Sequence, residues 1–121
     1  MQKPDTEEII LKALYAEALM HGDFNEVTCS YLCVEHRDFC WALYVLQMRG
    51  LIEGCVFHAL GGGMDADRQA LRLTPRGFEK IESDDETDDA YGRLKSLHQF
   101  FRAGGVSRAA ERIARWMQNP V

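Results

Sequence analysis

The chain has 121 residues, 46% of them hydrophobic, and a formal net charge of −5 at neutral pH. That length suffices for one compact core but not for two; no apolar run reaches the length of a membrane span, and the opening MQKPDTEE lacks the apolar segment of a signal peptide. The expectation is a cytoplasmic protein with no membrane role, and the charge narrows it further: residues 82–89, ESDDETDD, hold six of the 19 acids and no base, leaving 13 acids against 14 bases elsewhere, a balance that does not announce nucleic-acid binding.

The first helix is expected to start at Asp5 or Thr6, because Asp5-x-x-Glu8 has the form of a capping box and acids in a first turn suit the helix dipole. From Ile9 to Met20 the apolar residues run almost all the way round, so this helix needs cover on more than one side. His21-Gly22-Asp23 ends it. Thr28–Leu32 then leaves room for a short second helix before a turn at Cys33-Val34. The stretch from Val34 to Gly54, VEHRDFCWALYVLQMRGLIEG, organises the rest. As a helix it sets Phe39, Ala42, Leu43 and Leu46 on one arc, the spacing of a core face. Gly50 acts as its C-terminal cap, and Leu51-Ile52 open an extended run. Two strands are expected at Leu51–Leu60 and Gln69–Thr74, with Gly61–Asp67 as the flexible tip between them. Thr74-Pro75 starts another helix, with Thr as N-cap and Pro in the first turn, that offers Phe78 and Ile81 to the core.

Helix, short helix, long helix, strand, Gly-rich wing, strand and "LTPRGFEKI" follow in the order of a winged helix-turn-helix. The expected fold class is mainly α with a small antiparallel β hairpin (α+β), a winged helix-turn-helix with a C-terminal helical extension. The chain is similar to the YjcQ-like family of small bacterial and phage winged-helix proteins. Val34, Phe39, Ala42-Leu43, Leu46, Gly50, Ile52 and Gly54 carry the resemblance, with Thr74, Gly77 and the step Ala90-Tyr91-x-x-Leu94-x-x-Leu97. It covers roughly residues 8–102 and implies a fold and a phage or mobile-element setting, with no active site to carry over. Past the acid block, Tyr91, Leu94, Leu97, His98 and Phe101 form one apolar face, and Gly104-Gly105 breaks the chain. A last helix, Val106–Gln118, sets Val106, Ala109, Ala110, Ile113, Trp116 and Met117 opposite a solvated face of Arg108, Arg112 and Arg115. The expected organisation is a winged-helix domain at 1–82, an acidic linker at 83–89, and C-terminal helices at 90–121 that cover the first helix or pair in a homodimer.

Three constellations bear on function. On the outer face of the long helix, Arg37, Trp41, Tyr44 and Met48 fall in one stripe. A DNA-reading helix presents Arg, Asn and Gln there, whereas Trp, Tyr, Met and Arg are the types enriched at protein interfaces. Cys29-x3-Cys33-x2-His36-x3-Cys40 gathers soft ligands, yet it has no C-x-x-C knuckle and crosses a helix turn. The four cysteines, Cys55 included, are therefore expected to be small core thiols without a metal. The carboxylates of 82–89 sit in a polar run without a pocket, His36 and its cysteines lack a recognisable orienting group, and the glycines at 61–63 lack the lysine of a phosphate loop. Neither an enzyme nor a cofactor is expected.

Two functions remain. The fold favours a DNA-binding transcriptional regulator of prophage or mobile-element origin. His36 and Arg37 would enter the major groove, Arg68 and Arg72 of the wing would take phosphates or the minor groove, and Arg76 would extend the same positive face. The charge distribution favours the alternative, a scaffold that binds another protein through the Arg37/Trp41/Tyr44/Met48 face and has no DNA role.

Overall fold

The structure, a computed structural model, describes residues 5–84, 87 and 89–119. Among these residues the order is α1 (Thr6–Leu19), α2 (Cys29–Leu32), α3 (His36–Met48), β1 (Ile52–Glu53), β2 (Val56–Leu60), β3 (Gly63–Asp67), β4 (Arg72–Leu73), α4 (Pro75–Ser83), α5 (Ala90–Ala103) and α6 (Ser107–Gln118). The chain is mainly helical with a small antiparallel β component, and no described helix is long and apolar enough to cross a membrane.

The helix ends follow the sequence closely. Asp5 caps α1, its carboxylate accepting the Glu8 amide at 2.7 Å, while the Glu8 side chain pairs forward with Lys12 at 3.1 Å. The helix stops where His21 takes a left-handed conformation (φ 56°) and the Gly22 amide donates to the Glu17 carbonyl at 2.8 Å. The end of α3 repeats the device, with Gly50 at φ 76° and the Leu51 amide on the Leu46 carbonyl at 3.0 Å. Thr28 caps α2, and Cys33 (φ 59°) turns the chain into α3. The Thr74 hydroxyl works in two directions: it accepts the Gly77 amide at 3.0 Å, capping α4, and donates to the Gly50 carbonyl at 2.6 Å.

The β region differs from its expectation. The run Leu51–Leu60 is broken at Gly54 (φ 93°), where a side chain would fall on the Ala70 carbonyl. β1 pairs with β4, Ile52 opposite Leu73, so the second expected strand shortens to Arg72–Leu73, with the Thr74 amide continuing to the Leu51 carbonyl at 3.2 Å. β2 pairs with β3 from Val56 opposite Asp67 to Leu60 opposite Gly63. The tip expected at Gly61–Asp67 is therefore only Gly61-Gly62, and Gly63–Asp67 is a full strand. Gly and Asp are poor strand formers by propensity. Here two successive glycines with positive φ (33° and 89°) make a tight turn whose twist suits a hairpin, and pairing with VFHAL overrides propensity.

The core gathers around α1. Ile9, Ile10, Ala13, Leu14 and Tyr15 are buried in one cluster with Phe39, Leu43 and Leu46 of α3 and Leu94, Leu97 and Phe101 of α5. α1 packs against both α3 and α5, so the cover its sequence demands comes from two directions; α6 in turn packs on α5 and α2. Each large side chain buried this way contributes about 1.5–3 kcal/mol.

Three C-terminal expectations need correcting. Tyr91, placed on the apolar face of α5, is 59% exposed. Arg112, placed on a solvated face, reaches Glu17 of α1, its Nε donating to Oε2 at 2.6 Å and its Nη2 to Oε1 at 2.8 Å. Nor is the acid block all linker. α4 runs to Ser83, Asp89 caps α5, and Glu82 accepts the Tyr15 hydroxyl and an Arg93 N–H, each at 3.2 Å. Residues 85, 86 and 88 of the expected 83–89 linker, like 1–4 and 120–121, lie outside the described residues.

Candidate functional site

α3 buries Phe39, Cys40, Ala42, Leu43 and Leu46, which leaves Arg37, Trp41 and Met48 exposed on its outer side. Trp41 is 57% and Met48 71% exposed, far beyond what large apolar side chains need for packing. Tyr44 behaves differently. It is half-buried, its ring stacked on Trp41 with centroids 5.5 Å apart and set edge-on to Phe57 of β2 at 5.4 Å. The row expected on one helix thus continues onto the hairpin, where Val56 is also exposed. Gln47 fastens the two elements: its Nε2 donates to the Cys55 carbonyl at 3.0 Å and its Oε1 accepts the Cys55 amide at 2.9 Å, as a neighbouring strand would. Between α3 and the hairpin tip lies a cleft of about 580 Å³, lined by Arg37, Asp38, Trp41, Ala59, the tip glycines and Met64.

The arginines expected to act together lie on or beside several elements, each in its own surroundings. Arg37 is exposed at the cleft beside Asp38. Arg68 donates through Nη1 to the Val27 carbonyl at 2.9 Å, with its guanidinium 5.6 Å from the centre of the Phe39 ring. Arg72 pairs with Glu53 across the β1–β4 ladder at 2.5 Å. Arg76 lies by Gly50 at the other end of α3, in a depression shared with Met48, Arg49, Glu79 and Lys80.

His36 comes together with partners the spacing of the cysteines did not reveal. His36 and Cys40 stand one turn apart on α3, and β3 brings Asp65 to them. His36 Nε2 is 3.5 Å from Cys40 Sγ and 3.3 Å from Asp65 Oδ1, and the three donor atoms lie within 4.8 Å of one another. Asp65 Oδ1 also accepts the Ala66 amide at 2.9 Å, and Cys29 Sγ stands 4.0 Å from His36 Nδ1. Burial first, then the Asp65 charge, pushes the Cys40 thiol up from its ordinary pKa. All four cysteines are free thiols, but only Cys40 and Cys55 are core residues. Burial pushes Cys55 up to about 11. Cys29 is half-buried and Cys33, the left-handed residue closing α2, is exposed.

Asp65, Phe57 and Gln47 escape a sequence reading that treats Gly61–Asp67 as a loose tip. The missed signal is the glycine pair, which sets VFHAL against GMDAD in register. Comparison of the chain with models of known families, with curated proteins and with solved structures finds no match.

Proposed function

We propose that the chain is a winged-helix domain, as its similarity to the YjcQ-like family implies, and that it binds another protein through the face shared by α3 and the β2–β3 hairpin. One observation carries this reading: Trp41, Tyr44 and Phe57 form a continuous aromatic row, and exposed Met48 stands one turn beyond Tyr44 on α3. Single exposed apolar residues need no explanation, but a contiguous group beside a cleft does. Trp and Tyr are also among the types that dominate interface energetics, and Met is enriched at interfaces. The cleft itself is lined by Asp38 as well as Arg37, and Glu35 at the start of α3 and Asp65 and Asp67 of β3 are further acids on the two elements. The complementary partner is a segment with one or two large apolar side chains and flanking Lys or Arg. Those same acids oppose a phosphate backbone, and Arg68 and Arg72 are already engaged within the chain. The reading assigns no catalytic step.

The order α2, turn, α3, hairpin supports the second reading, a DNA-binding regulator with His36 and Arg37 at the groove and Arg76 on the backbone. With Arg68 and Arg72 engaged within the chain, few phosphates would be neutralised, and such binding would be weak with a shallow salt dependence.

One experiment separates the two. A Trp116→Phe chain keeps Trp41 as its remaining tryptophan. Peptides selected from a random library on this chain should pair large apolar residues with Lys or Arg and shift the Trp41 emission to the blue. Met48→Ala should weaken them about tenfold, ~1.4 kcal/mol. Failure to enrich any peptide, together with duplex DNA binding that Arg37→Ala abolishes, would transfer the assignment to the second reading.

A further inference from the structure

We propose that His36, Cys40 and Asp65 form a binding site for a divalent metal ion of the zinc class, which staples the β2–β3 hairpin to α3. An imidazole nitrogen, a thiol and a carboxylate are the donors zinc takes, and hard cations such as magnesium do not favour the sulfur. Two of the three donor-to-donor edges fit as well, and the third, from the Cys40 sulfur to an Asp65 carboxylate oxygen, lies within 4.8 Å. With ordinary zinc bond lengths and tetrahedral angles, the nitrogen-to-sulfur edge is about 3.6 Å and the nitrogen-to-oxygen edge about 3.4 Å. The corresponding distances from His36 Nε2 are 3.5 Å to Cys40 Sγ and 3.3 Å to Asp65 Oδ1.

The orientation of the ring decides between a metal and a catalytic relay. A relay of the Cys-His-Asp kind uses both imidazole nitrogens, one for the nucleophile and one for the acid. Here Cys40 and Asp65 both approach Nε2, so the histidine cannot pass a proton between them. Donors converging on one point suit a cation. The other nitrogen, Nδ1, is turned to Cys29 at 4.0 Å, the place of an outer partner that fixes the tautomer. Cys40, 1% exposed, is the anchored donor, while the His36 and Asp65 side chains, 61% and 50% exposed, leave an entry path and a fourth position for water. Binding replaces the Cys40 S–H bond with an S–Zn bond and releases that proton to solvent. The inference does not depend on what the α3–hairpin face binds.

The test uses the full chain without a purification tag, stripped by a chelator and titrated with Co²⁺ and then Zn²⁺. One equivalent of cobalt should produce thiolate-to-cobalt charge-transfer absorption and the visible bands of a tetrahedral ion, both displaced by zinc. Cys33→Ser should titrate like the parent chain. Asp65→Asn and His36→Gln alter half-exposed side chains and should keep the fold by circular dichroism. They should weaken binding by more than about tenfold, since losing even an outer partner costs that much. Zinc should raise the melting temperature of the parent chain and leave that of Asp65→Asn unmoved. Lack of a charge-transfer band, cobalt binding that Asp65→Asn leaves intact, or a site that disappears in Cys33→Ser would each overturn the proposal.

Discussion

Glu17 is the one charged side chain fully buried among the described residues, and Arg112 holds both of its carboxylate oxygens. Removing the arginine leaves a carboxylate without a counter-charge in the core. Arg112→Ala should therefore cost about 3–5 kcal/mol, read from denaturant melts, and a Glu17→Leu/Arg112→Leu double variant should recover much of it. Hydropathy periodicity grouped Arg112 with Arg108 and Arg115, because it reports which side of a helix a residue occupies. It does not report that a lone acid from another helix waits there. Tyr31 senses the same pair. Its hydroxyl is pushed up to about 12, by burial first and then by the Glu17 charge, with Arg112, Arg115 and Glu26 as smaller influences. An unfolded tyrosine loses its proton near pH 10. The contribution to stability is then full below about pH 10 and is lost as the pH rises through about 12. Melts across that window should fall more steeply for the parent chain than for Tyr31→Phe; parallel slopes would remove the assignment.

The elements show where sequence reading works and where it stops. Caps announce themselves locally, so Asp5, Thr28, Gly50 and Thr74 mark their boundaries within a residue or so. The hairpin does not, because its second strand is made of residues with little strand preference and exists through pairing with the first. One ring of the aromatic row and one donor of the His36 cluster ride on that hairpin, so the candidate sites were legible only on the α3 side. Gln47 is the corresponding weak point. Gln47→Ala removes both side-chain bonds to the buried Cys55 backbone, at about 1–3 kcal/mol if both groups go unsatisfied. Amide hydrogen exchange should quicken across 55–67 while α1 keeps its protection; uniform quickening would mean that Gln47 acts on global stability alone.

At the scale of the whole molecule, the apolar faces of α5 and α6 are engaged within the chain: Leu94, Leu97, Phe101, Val106 and Ile113 are all at most 5% exposed. Truncation after Asp89 takes them away and strips one side of α1. The shortened chain should aggregate or lose near-UV circular dichroism while keeping helix. A soluble fragment with a cooperative melt would show the C-terminal helices to be dispensable. In sequence, the all-round apolar α1 leads to the expectation that both of these faces cover it, within one chain or across a dimer; α5 packs on α1, whereas α6 packs on α5 and α2. What the sequence could not disclose is the timing that follows from the Glu17–Arg112 bond. The two residues are 95 positions apart. A ribosome adding about 5–20 residues per second needs roughly 5–20 s to make the second after the first. During that interval α1 has already been synthesised, but its α5-facing surface is bare and its acid has no arginine. The nascent chain is thus more exposed to aggregation, and more open to chaperones, than the finished one, and its core closes only once residue 112 has cleared the exit tunnel.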